Sequence, residues 1–392
     1  QIIIGFGIWI RNFYFYYYYY YYYYYYYYYL LLFHIKRIHI LYIIFIMNKI
    51  EIGTKLDFNN VLIRPKRSTI NSRSEVSLER TFRFKNCKKQ TWTGTPIISA
   101  NMDTTGTFRV YEILSQYNIV TAMHKFYTVE DYKEYRHDQK LDPNLFMVST
   151  GVSDDNFSNL VSIMKEIDCK WICVDIANGY ISNFIEYCRK VRQHFPDKII
   201  VAGNVVTREI VEELILSGGV DIVKVGIGPG SACTTRLKTG VGMPQLSAII
   251  ECGDAAHGVG GHIVSDGGIT CPGDMAKAFG AGADFVMVGG QFAGHEENPG
   301  EVIEENGKKY KLFYGMSSEK AQEIHFGKMA KYRASEGRVV KILYKGSLHD
   351  TVQDYLGGLR STCTYINSPT IKQMAKCTTF VQVNQQLNTH FA

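Results

Sequence analysis

The stretch KIIVAGNVVTREIVEELILSGGVDIVKVGIG, residues 198–228, contains two largely apolar runs separated by an amphipathic segment. The runs at 198–205 and 222–228 have the composition of strands that are buried on both faces of a sheet. The segment between them has helical spacing, with Thr207 placed to cap its start and Gly218–Gly219 to end it. The stretch therefore predicts a strand, a helix and a second strand parallel to the first.

The same alternation recurs along the chain from Lys55 onward. The amphipathic segments include DNFSNLVSIMKEI, in which Phe157, Leu160 and Ile163–Met164 share one helical face. The apolar runs are PIISA (96–100), IVTAM (119–123), LFMVST (145–150), WICVDIA (171–177), KIIVAGNV (198–205), IVKVGIG (222–228), HIVSDGG (262–268) and DFVMVGG (284–290). Eight such units predict an α/β fold of the (β/α)8 TIM-barrel type. A doubly wound open sheet is the structural alternative, although no GxGxxG motif opens a first strand–helix turn.

Composition and charge limit the class of protein. Hydrophobic residues make up 46% of the chain and charged residues 20%, as in ordinary globular proteins. Outside the first 46 residues, 40 basic residues stand against 37 acidic ones, which argues against a nucleic-acid-binding face. The nine cysteines are odd in number and irregularly spaced, so we expect a reducing, cytosolic location. Cys169 and Cys173 lack a second pair of matching spacing, which makes a zinc site an unfavourable interpretation.

The first 46 residues differ from the rest of the sequence. Tyr16–Tyr29 is an unbroken run of fourteen tyrosines between apolar flanks, and Met47 directly precedes the first globular-type sequence. We therefore expect residues 1–46 to be a non-native or disordered extension, Met47 to be the true start, and 47–392 to form one catalytic domain. A genuine hydrophobic extension is the alternative. Tyrosine prefers the bilayer interface, which argues against a membrane anchor, and the missing small-residue cleavage site argues against a secretory signal.

A glycine-rich loop with one cysteine follows the sixth predicted strand, at the end where barrel enzymes place their active sites. In VGIGPGSACTTR (225–236), Cys233 is flanked by hydroxyl residues and Arg236 instead of the apolar neighbours of a core cysteine. Backbone amides and a nearby guanidinium group favour the thiolate, which is the reactive form. The motif predicts a nucleophile, with a loop cysteine of no importance as the alternative that the loop alone leaves open.

Two further features point to a nucleotide site. Glycine-rich turns after the seventh and eighth predicted strands, SDGG (265–268) and VGG (288–290), match the usual phosphate site of barrel enzymes. Asp266 is suited to accept hydrogen bonds from ribose hydroxyls, with a turn or capping role as its alternative. The segment at about 293–346, between the last strand and the last helix, predicts a mobile flap. Its most distinctive stretches are YGMSS (314–318) and YRASEG (332–337).

These motifs closely resemble those of the GMP reductases. The resemblance covers the chain from about Lys55 to its C-terminus and includes KLDFNNVLIRPKR near the start and STCTY at 361–365. The IMP dehydrogenases share the cysteine loop, but they carry a pair of regulatory modules after the second strand and a longer flap. Here HKFYTVEDYKEY leads directly from strand to helix, and few turns separate Met316 from Glu336. The resemblance therefore favours the reductases.

The resemblance implies NADPH-dependent reductive deamination of GMP to IMP and ammonia, a step of purine salvage, with Cys233 forming a covalent thioimidate. Thr235 and Glu336 would transfer protons. The alternative is that Glu336 is a surface residue without a catalytic role. The resemblance also implies a cytosolic homotetramer and a potassium ion on Gly228, Gly230, Cys233 and Arg236.

Two alternative functions belong to other classes of protein. One is a catalytically silent barrel that senses purine nucleotides, and the other is a membrane-anchored protein.

The resemblance also assigns the ligand-binding residues, and it places Ser72 and Arg73 in a neighbouring subunit. The implied substrate-binding residues are Asp266, Gly267, Gly268, Gly289, Gly290, Gly315, Met316, Ser317, Arg333, Ala334, Ser335 and Gly337. The implied cofactor-binding residues are Ser72, Arg73, Lys125, Asp175, Ile176, Ala177, Ile227, Gly228, Tyr332, Ser361, Thr362, Cys363 and Thr364.

Overall fold

The chain divides into two compact units, Gln1–Thr54 and Lys55–Ala392, in a computed structural model. The structure describes residues 18–36, 50–87, 90–329, 332 and 334–384. In the first unit residues 18–36 are helical and their tyrosine side chains are exposed. The expected start at Met47 lies outside the described residues. Among the residues that are described, no helix is both long enough and apolar enough to cross a membrane.

Eight parallel strands close into a barrel in the second unit. The barrel strands are β1 (Ile97–Ser99), β2 (Val120–Ala122), β3 (Phe146–Thr150), β4 (Trp171–Asp175), β5 (Ile199–Val205), β6 (Ile222–Val225), β7 (His262–Asp266) and β8 (Phe285–Val288). Each strand pairs with the next in sequence, and β8 closes the barrel on β1, with Met287 opposite Ile98. All eight strands lie within the runs predicted from the sequence. The (β/α)8 barrel is confirmed, and the open sheet is excluded.

A helix covers the outside of the barrel after each strand. The helices are α1 (Phe108–Leu114), α2 (Val129–Asp138), α3 (Asp154–Glu166), α4 (Phe184–His194), α5 (Arg208–Leu216), α6 (Gln245–Gly258), α7 (Pro272–Gly280) and α8 (Leu348–Ile366). In α3 the predicted apolar face is turned inward, with Leu160 and Ile163 buried. The Ser153 hydroxyl caps this helix by accepting a hydrogen bond from the Asn156 backbone N–H at 3.1 Å. Local capping and the apolar face thus act together to set the helix.

Helix α5 begins where the sequence predicts, but the predicted capping hydrogen bond of Thr207 is not formed. Thr207 is the N-cap residue, but its side chain makes no capping hydrogen bond. Its Oγ1 instead accepts a hydrogen bond from Tyr180 Oη at 3.2 Å. The hydroxyl therefore joins the loop after β4 to the start of α5.

An aromatic hairpin packs on the N-terminal end of the barrel. The antiparallel strands Arg80–Arg83 and Thr91–Gly94 carry Phe82 and Trp92. The Phe82 ring stacks on Phe285 of β8 with centroids 4.3 Å apart, and the Trp92 ring lies 5.5 Å from Trp171 of β4. The Phe82 and Trp92 side chains are both buried. The hairpin thus covers this end of the barrel with packed aromatic rings.

The predicted flap is a folded substructure. It contains an antiparallel sheet of β9 (Ile303–Glu305), β10 (Lys308–Tyr314) and β11 (Val339–Leu343), with the helix Glu319–Phe326 between the last two strands. Asp103, in the loop after β1, accepts hydrogen bonds from His325 Nε2 at 2.7 Å and from Tyr314 Oη at 3.2 Å. The Phe126 ring, after β2, stacks on the His325 ring. These contacts tie the flap to the C-terminal end of the barrel.

A buried neutral histidine lies at the base of the flap. His295 is fully buried, and its Nε2 is 2.7 Å from Thr351 Oγ1 of α8. Burial, with a smaller contribution from the Lys345 charge, lowers the pKa of His295 to about 4. The unfolded chain binds a proton at the ordinary histidine pKa of about 6.5. The folded protein therefore loses stability as the pH falls from about 6.5 towards 4.

Substitution of this histidine should reduce the pH dependence of stability. Between pH 7 and pH 5, we expect wild-type protein to lose about 2 kcal/mol more unfolding free energy than the His295→Gln variant. Glutamine has no titrating group in this range and retains polar atoms near Thr351. Urea unfolding of both proteins at each pH measures the difference. Equal losses in the two proteins would contradict a low pKa for His295.

Candidate active site

The cysteine loop follows β6 at the C-terminal end of the barrel. Gly226 and Gly228 have φ angles of 153° and 90°, which side chains disfavour. A Cβ atom at Gly226 would lie 2.0 Å from the Asp266 carbonyl oxygen, so the loop approaches β7 more closely than any other residue type allows. Beyond this turn, the Cys233 backbone N–H donates to the Gly230 carbonyl at 3.0 Å. The loop thereby holds a partly exposed cysteine at the barrel mouth.

The three predicted catalytic residues form one hydrogen-bonded chain. Cys233 Sγ donates to Thr235 Oγ1 at 3.2 Å. Thr235 Oγ1 in turn donates to Glu336 Oε2 at 2.8 Å, although these two residues are 101 positions apart. A thiol, a hydroxyl and a carboxylate in this order can pass a proton from sulfur to oxygen and return it.

Backbone pairing fixes the flap on the cysteine loop. The Thr234 N–H donates to the Glu336 carbonyl at 2.8 Å, and the Arg338 N–H donates to the Ala232 carbonyl at 2.9 Å. Gly337, between the two flap residues, has no room for a side chain, because its Cβ would lie 2.8 Å from a backbone nitrogen of the flap. The Glu336 carboxylate therefore reaches the cysteine through main-chain register and not through a flexible side chain alone.

Asp266 ends β7 and faces the same mouth. Its Oδ2 accepts a hydrogen bond from Asn204 Nδ2 at 2.8 Å and lies 3.2 Å from Lys224 Nζ. Gly267 and Gly268 follow with φ angles of 90° and 82°, so the chain turns away immediately after the carboxylate. The Asp266 side chain is partly exposed, which leaves it able to accept a hydrogen bond from a ligand.

Lys224 is a site residue that the sequence analysis missed, as is Asn204. This β6 lysine is only 2% exposed, and its Nζ lies 2.5 Å from Asp175 Oδ1 as well as near Asp266. Burial by itself lowers the pKa of an ammonium group, but the two carboxylates raise the pKa of Lys224 above its usual range. Although burial opposes it, the positive charges of Lys224 and Lys125 hold the pKa of Asp175 below its usual value. The feature of the sequence that could have identified Lys224 is its charge, which is the single charge within the apolar run at 222–225.

Predicted substrate-binding glycines surround the cysteine loop. Gly289 and Gly290 follow β8, and a Cβ at Gly290 would lie 2.5 Å from Ser231 Oγ. Gly315 follows β10, and its Cβ would lie 3.0 Å from the Ala232 carbonyl oxygen. These close approaches bring three separate turns of the chain around one mouth.

The remaining predicted substrate-binding residues belong to the flap. Met316 Sδ accepts a backbone N–H from the loop after β1 at 3.4 Å, and Ser317 is exposed. The Ser335 carbonyl accepts the hydroxyl of a cysteine-loop threonine at 3.2 Å, and Ala334 precedes it on the exposed edge. Arg333 lies outside the described residues.

The predicted cofactor-binding residues fall into two groups. The group at or near the barrel mouth comprises Lys125, Asp175, Ile176, Ala177, Ile227 and Gly228, and Tyr332 is an exposed residue of the flap segment. The second group consists of Ser361–Thr364, in the C-terminal half of α8, and of Ser72 and Arg73, at the start of the short helix Arg73–Glu75 that contacts α8. There the Lys66 N–H donates to the Tyr365 carbonyl at 2.9 Å. Ser361 is about 20 Å along the helix from its start at the flap. The Cys363 side chain is fully buried, and its carbonyl already accepts the Ser368 N–H at 2.9 Å.

The predicted cation site consists of backbone carbonyls. The Gly230 carbonyl accepts the Cys233 N–H at 3.0 Å and retains a second lone pair. The Arg236 guanidinium group donates to Asp57 Oδ2 at 3.0 Å, and the Arg236 carbonyl accepts the Gly240 N–H at 3.2 Å. Carbonyl oxygens are hard donors that suit an alkali-metal ion. Among the described residues, no cluster of three acidic, histidine or cysteine side chains offers a different kind of metal site.

Comparison with known proteins places this geometry in a family. Residues 55–389 match the model of the IMP dehydrogenase / GMP reductase domain. The chain is 56% identical to GMP reductase 1 of Homo sapiens over 347 residues, which cover 88% of this chain and 100% of that protein. It is 55% identical to GMP reductase 2 of Homo sapiens over 347 residues and 57% identical to GMP reductase of Yersinia pestis (strain Pestoides F) over 345 residues. Each of these matches covers 88% of this chain and 99% of the relative. The chain therefore belongs to the IMP dehydrogenase / GMP reductase family, whose enzymes are oxidoreductases that act on purine nucleotides.

Proposed function

We propose that the chain catalyses the NADPH-dependent reductive deamination of GMP to IMP and ammonia, a purine salvage reaction. The observation that carries this proposal is the hydrogen-bonded chain of Cys233, Thr235 and Glu336 at the barrel mouth. The GMP reductases of human and Yersinia, at 55–57% identity, support the choice of reaction within the family. In addition, β2 ends at Ala122 and α2 begins at Val129, so no regulatory module is inserted there.

Substrate binding uses the turns after β7 and β8. The Asp266 carboxylate accepts hydrogen bonds from ribose hydroxyls, and the glycine turns after it and after β8 offer backbone N–H groups to the phosphate. The flap closes over the base through its contacts with the cysteine loop. Guanine C2 then faces the Cys233 sulfur.

The first chemical step transfers the Cys233 proton through Thr235 to Glu336 as the sulfur attacks guanine C2. A C–S bond forms, and the base takes the electron pair of its C=N bond. Glu336 then returns the same proton through Thr235 to the exocyclic amine. The C2–N bond breaks with its electrons leaving on nitrogen, ammonia departs, and a thioimidate remains on Cys233.

The second step releases IMP. The cofactor-binding residues at the mouth would hold NADPH, which would be the source of a hydride for C2. The C2–S bond then breaks and its electron pair stays on Cys233 Sγ, where a solvent proton restores the thiol. In sum, GMP, NADPH and one proton give IMP, ammonia and NADP⁺.

The proposal includes an assembly and a cation. In a homotetramer, Ser72 and Arg73 would reach the cofactor of a neighbouring subunit, and Ser361–Thr364 would lie near the cofactor. A potassium ion on the carbonyls of Gly228, Gly230 and Cys233 would hold the cysteine loop in its turn. All nine cysteines are free thiols, as they would be in the reducing cytosol.

Initial rates followed at 340 nm test the direction of the reaction. We expect loss of NADPH absorbance that depends on GMP, and no NADH formation from IMP and NAD⁺. The opposite pattern would make the chain an IMP dehydrogenase that lacks regulatory modules. If GMP binds but neither pair of substrates reacts, the chain is a nucleotide sensor and the proposal fails.

Loss of the ribose acceptor should mainly affect substrate binding. For the Asp266→Ala variant we expect the KM for GMP to rise by roughly 10²-fold, because the charged acceptor of the ribose hydroxyls is gone. Steady-state kinetics at saturating NADPH measure the change. An unchanged KM would show that other residues hold the ribose.

A further inference from the structure

We propose that Lys224 is a positioning residue that couples the GMP site to the cofactor site by holding the carboxylates of Asp266 and Asp175 with one ammonium group. This inference rests on the proposed function, because that function assigns Asp266 to the ribose of GMP and Asp175 to the cofactor. It adds a residue that neither ligand needs to touch.

The geometry places one cation between two acceptors on rigid elements. Lys224 Nζ lies 2.5 Å from Asp175 Oδ1 at the end of β4 and 3.2 Å from Asp266 Oδ2 at the end of β7. Gly203 of β5 is opposite Lys224 in the sheet, and a Cβ there would lie 2.5 Å from the lysine Cβ. Because Gly203 has no side chain, the Lys224 side chain can occupy the space beside it. All four residues belong to barrel strands, so their spacing does not depend on a flexible loop.

The electrostatics make the two carboxylates compete for one partner. The lysine side chain is 2% exposed, whereas the two carboxylates are 27% and 21% exposed. Water therefore screens the shared contact weakly, and the ammonium group has little solvent to replace a lost partner. A change at either carboxylate alters how strongly the cation is drawn to the other.

The direction of the coupling follows from this competition. When the Asp175 charge is removed, Asp266 is the carboxylate that remains beside the ammonium group, whose other acceptor, Asn101 Oδ1 at 3.4 Å, carries no charge, so the cation is drawn more strongly to Asp266. The Asp266 oxygens then become weaker acceptors for ribose hydroxyls, so GMP should bind less tightly. Direct electrostatics predict the reverse, because loss of a negative charge near an anionic nucleotide should tighten its binding.

The test uses calorimetric binding of GMP and of 2′,3′-dideoxy-GMP to the full chain without cofactor. For Asp175→Asn we expect the Kd for GMP to rise about fivefold and the Kd for the dideoxy nucleotide to stay within twofold of wild type. As a control, Arg192→Lys conservatively alters a buried ion pair with Asp221 at the opposite end of β6. It should leave both Kd values unchanged. In a Lys224→Met background, Asp175→Asn should no longer weaken GMP binding.

Three outcomes overturn the inference: an unchanged Kd for GMP in Asp175→Asn, a lower Kd, or an equal rise for the dideoxy nucleotide. The GMP and dideoxy comparison within Asp175→Asn is decisive even if Lys224→Met does not fold, because it needs only the conservative variant. Failure of wild-type protein to bind GMP would instead overturn the proposed function. The two failures are therefore distinguishable.

Discussion

The Cys233→Ala variant should bind GMP with wild-type affinity and lose turnover by roughly 10³-fold or more. Without the sulfur no covalent intermediate forms, and ammonia would have to leave in a single displacement at C2. The fold should persist, because the residue is only partly buried and its loop is held by backbone hydrogen bonds. Initial rates at 340 nm and calorimetric GMP binding measure the two quantities.

The exposed Cys271, outside the site, provides the matched control. Cys271→Ala should retain turnover within twofold of wild type. Turnover near wild type in Cys233→Ala would instead show that another group attacks the base. Mass spectrometry of protein incubated with GMP alone should also find an adduct on Cys233 in wild-type protein and none in the variant.

The Glu336→Gln variant should lower kcat by roughly 10²-fold and leave GMP affinity within twofold of wild type. Glutamine keeps the size of the side chain and a hydrogen bond to Thr235, but it cannot take up a proton and return it. The main-chain contacts of this residue with the cysteine loop are also retained. Steady-state kinetics together with GMP binding separate the two effects.

Glu304 of β9 is an exposed flap glutamate that serves as the control. Glu304→Gln should leave both kcat and GMP affinity unchanged. If Glu336→Gln weakened GMP binding with no loss of kcat, its role would be to hold substrate and not to move protons.

The barrel could be predicted from the sequence because its strands are short apolar runs at regular intervals. Burial on both faces requires that composition, and β3, for example, is buried at all five positions. The flap sheet gave no comparable signal. β10 begins with charged, exposed residues, and beyond its hairpin with β9 it pairs with β11, which is distant in sequence, so that register depends on contacts that periodicity does not encode.

Some residues of the candidate site could likewise be predicted from the sequence, and others could not. The cysteine loop and the SDGG turn were recognisable because glycine and polar residues interrupt apolar strands at the catalytic end. Lys224 was missed because one lysine in an apolar run reads as a tolerated exception. Only the closed barrel shows that both of its acid partners, Asp175 and Asp266, reach the same point. The contact of Thr235 with Glu336 likewise requires the register of the flap on the loop.

Isotope labelling tests reductive deamination at C2 most directly. The protein would be incubated with GMP and NADPH that carries deuterium at both C4 positions, and the nucleotide product would be analysed by mass spectrometry. We predict IMP with one deuterium at C2, together with one equivalent of ammonia. Xanthosine monophosphate as the product, or IMP without deuterium, would contradict hydride transfer to the carbon that Cys233 attacks.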